Sequence, residues 1–153
     1  MSDLIQISQA DKQDLNAIDA LERQCFPGHC YPDFFFRQAL DCWPNGLLVA
    51  KDEDNNTLGY LLASSSGQPD VAWILSVAVS DTARGKGIGT KLISQLLAVL
   101  PQGVNQVNLT VAPDNPAKDL YSRIGFIELG FESDYFGDNE PRLLMGYRKS
   151  GYS

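Results

Sequence analysis

The sequence predicts an α/β (α+β) protein with a mixed, mostly antiparallel sheet of six to seven strands and about four flanking helices. The first observation is a pair of apolar runs, Leu47–Lys51 and residues 57–63, which a short polar turn joins into an antiparallel hairpin. The second is the order of elements after Val79, which becomes strand, helix, strand, helix and two strands. This order requires a crossover connection and at least one parallel pair of strands.

Length and composition favour a single domain, residues 1–153. A chain of 153 residues that is 44% hydrophobic can bury a core, which argues against a disordered chain or a coiled coil. The net charge of −7 argues against a general nucleic-acid or membrane surface and is compatible with a cationic partner such as an amine. Neither an apolar run of about 18 residues nor a signal-peptide pattern is present in this sequence. A cytoplasmic location is therefore expected.

Three cysteines, Cys25, Cys30 and Cys42, are too few for a disulfide framework, so free thiols in a reducing compartment are expected. With His29 they could form a zinc site, but their spacing matches no common zinc pattern. A nucleophilic Cys–His pair is also formally open, although no third residue nearby would orient it. We therefore expect no metal.

The N-terminal part is predicted to contain a short strand at residues 4–7, followed by a helix. Asp11 can cap this helix, with Asp14 three residues further on. Its apolar face consists of Leu15, Ile18, Leu21 and Cys25. Pro27 and Gly28 end it.

A second helix is predicted after Asp33, which can cap it, and residues 44–46 end it. The apolar residues of this helix are Phe34, Phe35, Phe36, Ala39, Leu40 and Trp43. The hairpin follows with its turn at 52–56, and then a loop at 64–69 leads to the strand Val71–Val79. The aromatic crowding of the helix is typical of a core, or of a lid over a site.

The C-terminal half begins with an amphipathic helix, whose apolar positions are Ile88, Leu92, Ile93, Leu96, Leu97 and Leu100. A strand at Gln106–Val111, a helix at 116–124 and two further strands, the last at Arg142–Arg148, are expected after it.

A glycine-rich turn, residues 84–90, joins the strand that ends at Val79 to this amphipathic helix. Glycines let a backbone approach a ligand closely, and the positive end of a helix favours phosphate, while Arg84 and Lys86 add positive charge. A dinucleotide fingerprint would need glycine in place of Thr90, and a nucleoside triphosphate loop would need Ser or Thr in place of Gly87. What remains is the pattern Arg-x-x-Gly-x-Gly, formed by Arg84, Gly87 and Gly89.

This pattern closely resembles the acetyl-CoA pyrophosphate loop of the GNAT N-acetyltransferase superfamily. A second block at residues 115–126, together with the order of elements, resembles the GNAT fold over nearly the whole chain. The chain is also similar to the ribosomal-protein alanine N-acetyltransferase group. It shares a Cys-Phe-Pro stretch at residues 25–27, and an aromatic pair, Tyr135 and Phe136, ten residues after a Gly-Phe segment.

The resemblance implies acetyl-CoA as cosubstrate. The acetyl and pantetheine arm of acetyl-CoA would pair with the strand backbone at Val77, Ala78 and Val79. The pyrophosphate would be bound at Arg84, Gly85, Lys86, Gly87, Ile88, Gly89 and Thr90. Asn115 would hydrogen-bond the pantetheine arm, Tyr121 would be the general acid, and Glu128 and Tyr135 would lie on the acceptor side. Lys118 either reaches a coenzyme phosphate or belongs to a solvated helix face.

Acyl transfer to an amine needs a neutral nucleophile, a polarised thioester carbonyl and a proton for the departing thiolate. A phenol, with a reference pKa of about 10 against about 8.5 for a thiol, holds its proton at neutral pH, so Tyr121 suits the third need. In the alanine N-acetyltransferase group, a glutamate that acts as the general base occupies the position of Thr110. A threonine cannot act as a base near neutral pH. Either water removes the proton, or another group does, the candidates being Glu128, Glu132, Asp134 and Tyr135.

These observations favour direct acetyl transfer through a ternary complex, because no Ser or Cys lies in a recognisable nucleophile motif. A protein N-terminal α-amine is the leading acceptor. A small cationic amine is the alternative that the acidic composition favours. From another class of function, the chain could be an acyl-CoA sensor that has lost turnover, as the absent carboxylate at Thr110 suggests.

Overall fold

The computed structural model describes residues 4–28 and 30–149. Within these residues the strands are β1 (Gln6–Gln9), β2 (Leu47–Lys51), β3 (Thr57–Ser64), β4 (Val71–Val79), β5 (Gln106–Val111), β6 (Ile127–Glu132) and β7 (Arg142–Arg148). The α-helices are α1 (Leu15–Cys25), α2 (Asp33–Cys42), α3 (Ile88–Ala98) and α4 (Ala117–Ile124).

The strands form one seven-stranded sheet in the hydrogen-bonded order β1-β2-β3-β4-β5-β7-β6. The pairs β1–β2, β2–β3, β5–β7 and β6–β7 are antiparallel, whereas β4 and β5 are parallel. The predicted mixed, mostly antiparallel sheet with four helices is confirmed.

The chain divides into two compact units, of which the first comprises the described residues within Met1–Ser64 and Ser76–Val99. Its largest fully buried side chains include Ile18, Phe36, Tyr60, Leu92 and Ile93. Gly59 allows α3 to lie close to β3, because a Cβ there would stand 2.9 Å from the Ala78 carbonyl oxygen and 3.2 Å from Ile88 Cγ2. This packing fixes the start of α3.

The second unit comprises the described residues within Ser65–Leu75 and Leu100–Ser153. Its core includes Val107, Leu109, Phe126 and Met145. Every residue of β6, the edge strand, is exposed. That the whole chain acts as one domain stays a prediction.

Several predicted boundaries shift in the structure. The first strand runs from Gln6 to Gln9 and not over residues 4–7, because its register is set by pairing with β2, where Gln6 faces Lys51. Asp11 and Asp14 form the predicted capping box, with a short 3₁₀ turn (Lys12–Asp14) before α1. Asp33 does not cap α2, since Pro32 holds that position and Asp33 is the first helical residue.

Two further helix boundaries differ from the prediction. The helix α3 ends at Ala98, before Leu100, and α4 begins at Ala117, one residue after the predicted start. Of the α2 aromatic residues, Phe36 is fully buried and Phe34 is exposed, so the crowding is only partly core. No helix in residues 4–28 and 30–149 is long and apolar enough to cross a membrane.

Candidate active site

The glycine-rich turn uses the conformational freedom of two of its glycines. Gly85 and Gly87 adopt φ values of 85° and 74°, in the left-handed region that favours glycine. A Cβ at either position would meet no atom within 4 Å, so the space beside both is open. Gly87 is the N-cap of α3 and no side chain caps this end, which leaves the first-turn N–H groups to an external acceptor. Gly89 lies inside this first turn and is buried.

Positive side chains flank the turn without enclosing it. Arg84 forms an ion pair with Asp81, with Nη2 and Oδ1 3.2 Å apart, and both side chains are largely exposed. Lys86 is also exposed. Because both side chains are exposed, the backbone N–H groups at the turn and at the start of α3 have the more fixed positions from which to donate to an anion.

The end of β4 carries the predicted partner for the acetyl arm. Its register with β5 covers Val71–Trp73, so Val77, Ala78 and Val79 lie beyond the last paired residue. The Val79 carbonyl accepts a hydrogen bond from Cys25 Sγ at 3.5 Å, and Ser80 N–H donates to the Leu58 carbonyl at 2.8 Å. Both groups thus already have protein partners.

Asn115 and Lys118, in the second unit, are engaged with their own loop. The Asn115 side-chain oxygen accepts a hydrogen bond from Ala117 N–H at 2.9 Å and thereby orders the start of α4. The Asn115 Nδ2 can donate to a ligand without disturbing this bond. Lys118 Nζ donates to the Pro113 carbonyl at 2.8 Å, a contact that does not require a phosphate.

Tyr121 lies on α4 and is only 9% exposed. Its ring packs against Phe126, with centroids 5.9 Å apart, and Phe126 in turn contacts Tyr147 at 5.6 Å. Burial raises the pKa of Tyr121 to about 12. Its hydroxyl has no hydrogen-bond partner within the part of the chain that the structure describes. A protonated phenol without a partner can donate to a ligand.

The predicted acceptor-side residues lie on β6 and the loop after it. Glu128 and Glu132 are exposed, and Asp134 Oδ1 accepts a hydrogen bond from Asn139 N–H at 3.0 Å. Tyr135 is 38% exposed and packs edge-on against Phe136, with ring centroids 4.7 Å apart.

Thr110 lies half-buried on β5, opposite Leu144 of β7. Among the described residues, the structure identifies no carboxylate that replaces the glutamate that the resemblance leads us to expect at Thr110.

One residue that sequence reasoning missed is Glu22, a buried carboxylate on α1. It accepts hydrogen bonds from the hydroxyls of Tyr60 and Ser76 and from Tyr31 N–H. Its spacing was the available signal, because Glu22 follows Ile18 by four residues and precedes Cys25 by three, within the apolar face of the helix. A charged residue in such a face needs buried partners.

No group of three or more metal-ligating side chains occurs in residues 4–28 and 30–149. Cys25 and Cys30 are half-buried free thiols, and Cys42 is an exposed one. His29, the fourth member of the conceivable zinc set, lies outside the described residues.

Comparison with known proteins agrees with this geometry. The profile of the acetyltransferase (GNAT) family matches residues 15–126. The catalytic subunit NAA10 of the Arabidopsis thaliana N-terminal acetyltransferase A complex is 30% identical over 148 residues, covering 93% of this chain and 77% of that protein. The [ribosomal protein bS18]-alanine N-acetyltransferase of Haemophilus influenzae is 28% identical over 144 residues, covering 91% and 95%.

A third relative matches a shorter segment. The L-2,4-diaminobutyric acid acetyltransferase of Nocardia farcinica is 40% identical over 74 residues, which are 47% of this chain and only 38% of that protein.

Solved structures share the fold. Ard1 from Thermoplasma volcanium superposes with a TM-score of 0.85 at 21% identity, covering 94% of this chain and 97% of the other. A chain of the NatC complex, solved with Gag peptide and CoA, has a TM-score of 0.83 at 20% identity, covering 94% and 98%. At these identities the likeness concerns the fold alone.

Proposed function

Because the chain belongs to the acetyltransferase (GNAT) family, whose members use acetyl-CoA, we propose that its acceptor is the α-amine at the N-terminus of a protein. The chain is an acetyl-CoA-dependent N-acetyltransferase, and the proposal concerns only which primary amine it modifies. The observation that carries it is the alignment with the NAA10 subunit, which spans 93% of this chain. The bS18 alanine enzyme also acts on a protein and aligns over 91% of it.

The glycine-rich turn is proposed to bind the pyrophosphate of acetyl-CoA. The left-handed Gly85 and Gly87 open the backbone, and the uncapped first turn of α3 offers N–H groups near Ile88, Gly89 and Thr90. Arg84 and Lys86 add charge at the rim. Val77, Ala78 and Val79 are proposed to lie along the acetyl and pantetheine arm, which Asn115 Nδ2 would also contact.

Acetyl-CoA supplies the activated acyl group, and the chain's own groups are proposed to serve the reaction around it. A backbone N–H at the end of β4 polarises the thioester carbonyl as its oxygen gains charge. The Tyr121 hydroxyl supplies a proton to the leaving sulfur, because its raised pKa keeps it protonated throughout the physiological range. Glu128 and Tyr135 are proposed to contact the acceptor from the exposed β6 side.

Proton removal from the amine is proposed to need no dedicated base. An α-amine with a pKa of about 8 is roughly one-tenth neutral at pH 7, whereas a lysine amine near 10.4 is neutral in fewer than about one molecule in a thousand. Without a carboxylate at Thr110, an α-amine is therefore the more accessible acceptor. The same arithmetic disfavours lysine side chains.

Placing a carboxylate at position 110 should extend activity to lower pH. In the wild type we expect the rate to rise with pH up to the acceptor pKa of about 8. Thr110→Glu should shift this rise to lower pH, because the new carboxylate can accept the proton of the amine. The half-buried site leaves its charge partly hydrated, so the strand should tolerate it. The measurement is a pH profile of kcat/KM with an N-terminal peptide, and Thr110→Gln is the uncharged control. A wild-type plateau already reached by about pH 6 would contradict the proposal, because it would mean that a low-pKa base exists.

A small cationic amine is the second candidate acceptor. The match to the diaminobutyrate enzyme favours it, at 40% identity, and so does the net charge of −7. That match covers less than half of this chain, however, so the N-terminal amine remains the first proposal.

The acceptor classes separate in one assay. Acetyl-CoA consumption should be followed with peptides of varied N-terminal residues, with the same peptides blocked at the N-terminus, and with diamines and diamino acids. The proposal predicts turnover with the free peptides and a loss of it on blocking. Preference for the small amines would favour the second candidate, while binding of acetyl-CoA without any turnover would indicate the sensor.

We also propose that the protein works in the cytoplasm. The support is its chemistry, because three free cysteines are typical of a reducing compartment.

A further inference from the structure

The strand β6 forms one edge of the sheet and is exposed along its whole length. It pairs with β7 on one side, and no described strand pairs with its other side. In an edge strand, alternate backbone N–H and C=O groups point away from the sheet and stay unpaired. The outer edge of β6 is therefore a template onto which a further extended segment can pair.

The side chains of β6 are more apolar than a solvated edge requires. Ile127, Leu129 and Phe131 are 43%, 41% and 60% exposed. The strand at the other edge of the sheet, β1, is short, and Ile7 is its single apolar residue. Three exposed apolar residues on one edge strand are typical of a surface that another chain covers.

A bulge at Leu129 distributes the side chains of β6 over both of its faces. The register of β6 with β7 shifts at this residue. Residues that stand opposite each other in an antiparallel pair project from the same face, so the shift changes the alternation along β6. Glu128 and Phe131 share one face as a result, and Ile127 and Glu132 share the other. Each face thus carries one carboxylate and one apolar residue.

The charged residues of β6 are both acidic. Glu128 and Glu132 form no ion pair with any residue in the described part of the chain. Arg142 stands opposite Glu132 in the register, but its guanidinium lies 4.8 Å from the centroid of the Phe136 ring, and its Nη1 lies 4.0 Å from Glu140.

These charges determine which kind of strand fits the edge. A second copy of β6 would add two more carboxylates to the same ladder, and like charges across a pair of strands are destabilising. A bulge and charged side chains also discourage an edge from pairing with itself. A basic strand would instead bring opposite charges to Glu128 and Glu132, which the net charge of −7 also favours.

We propose that the outer edge of β6 is a docking site for an extended basic segment of a partner protein, which pairs with β6 and continues the sheet. Basic side chains of the segment stand opposite Glu128 and Glu132, and apolar ones stand opposite Ile127, Leu129 and Phe131. For an antiparallel partner this gives the pattern basic, apolar, any residue, apolar, basic, apolar. The inference goes beyond the proposed function, because it concerns the binding of a partner segment and not the reacting amine.

A peptide with this pattern tests the site directly. The probe is Lys-Val-Thr-Val-Lys-Val, acetylated at its N-terminus and amidated at its C-terminus, so that it has no free α-amine. We expect it to bind the free protein with a Kd between about 10 µM and 1 mM, as a small interface allows. A titration followed by NMR should shift the amide signals of residues 127–132, and added salt should weaken the binding.

Three matched peptides separate the contributions. Glutamate in place of both lysines should abolish binding, because the charges then repel. Glycine in place of all three valines keeps the charge and should weaken binding at least about tenfold, since the apolar contacts are lost. Methylation of every backbone nitrogen of the probe should also abolish binding, because the ladder then lacks its donors.

Two protein variants locate the site. Ile127→Ser combined with Phe131→Ser removes one apolar side chain from each face, and it should weaken binding of the probe at least about tenfold. We expect its acetylation of a short peptide to be unchanged, because neither residue has a role in the transfer. Phe34→Ser, at an exposed aromatic residue of α2, is the control and should bind the probe normally.

The second variant reverses the charges of the edge. Glu128→Lys combined with Glu132→Lys should lose the basic probe and gain the glutamate peptide. Both positions are exposed, so the fold should tolerate the change, and the NMR spectrum of the free variant reports this. This variant also keeps the inference testable if the serine variant does not fold.

Four outcomes would overturn the inference: no binding of the probe at 1 mM, equal binding of the glutamate peptide, shifts confined to residues outside β6, or unaltered binding in the serine variant. A wild-type dimer in sedimentation that the serine variant abolishes would also overturn it, because a second copy would then cover the edge. None of these measurements needs turnover, so a failure of the proposed acetyl transfer would leave the docking result readable.

Discussion

Replacing Tyr121 by phenylalanine should lower kcat by about 10² to 10⁴, the range typical of losing a general acid. The substitution removes only a hydroxyl that has no partner in the described part of the chain, and the ring contact with Phe126 at 5.9 Å remains. We therefore expect the free energy of unfolding to change by less than about 0.5 kcal/mol and the affinity for acetyl-CoA to be unchanged. Steady-state kinetics at saturating substrates, calorimetric titration and thermal unfolding measure these quantities.

A matched control and the pH profile sharpen this test. Tyr147→Phe removes a hydroxyl from the tyrosine on the other side of Phe126, whose ring centroid is 5.6 Å from that of Phe126, and should leave kcat unchanged. Because burial raises the pKa of Tyr121 to about 12, the phenol keeps its proton as pH rises past the ordinary value near 10. The wild-type rate should thus show no falling limb below about pH 11. An unchanged kcat in Tyr121→Phe would assign Tyr121 to packing. A falling limb centred near pH 10 that disappears in Tyr121→Phe would show that the hydroxyl acts as the acid but that its pKa is not raised.

The sheet could be predicted because its signals are local. Alternating and continuous apolar runs marked the hairpin and β4, and the change of order after Val79 required the parallel pair that β4 and β5 form. The boundaries were less predictable. The start of β1 depends on pairing with β2, about 40 residues away along the chain. The prediction of Asp33 as the cap of α2 is wrong because Pro32 takes that position.

The candidate site also has one part with a local signal in the sequence and one part without it. The glycine-rich turn could be predicted because clustered glycines between a strand and a helix are a local signal, and the structure gives Gly85 and Gly87 left-handed φ values. Glu22 was missed because its partners Tyr60 and Ser76 are 38 and 54 residues distant in sequence. No local pattern links them, although a glutamate in an apolar helix face indicates that buried partners must exist.

Replacing Gly87 by aspartate should weaken acetyl-CoA binding by at least about 100-fold, while Lys86→Ala should weaken it by less than about tenfold. A side chain at Gly87 would stand where we propose that the pyrophosphate approaches the uncapped first turn of α3, and the negative charge of aspartate would repel phosphate. Calorimetric titration with acetyl-CoA measures the Kd. Gly87→Asn is the matched control, since it has the same size without the charge, and we expect it to fall between the two.

The free protein should tolerate both substitutions at Gly87, and this separates ligand binding from folding. Asn and Asp adopt the left-handed region more readily than other non-glycine residues, and a Cβ at Gly87 meets no atom within 4 Å. Gly89 offers no such separation, because it is buried in the first turn of α3. A large fall in melting temperature for Gly87→Asn would attribute the loss to backbone strain. Equal losses of affinity in Gly87→Asp and Lys86→Ala would mean that side-chain charge, and not the backbone, holds the pyrophosphate.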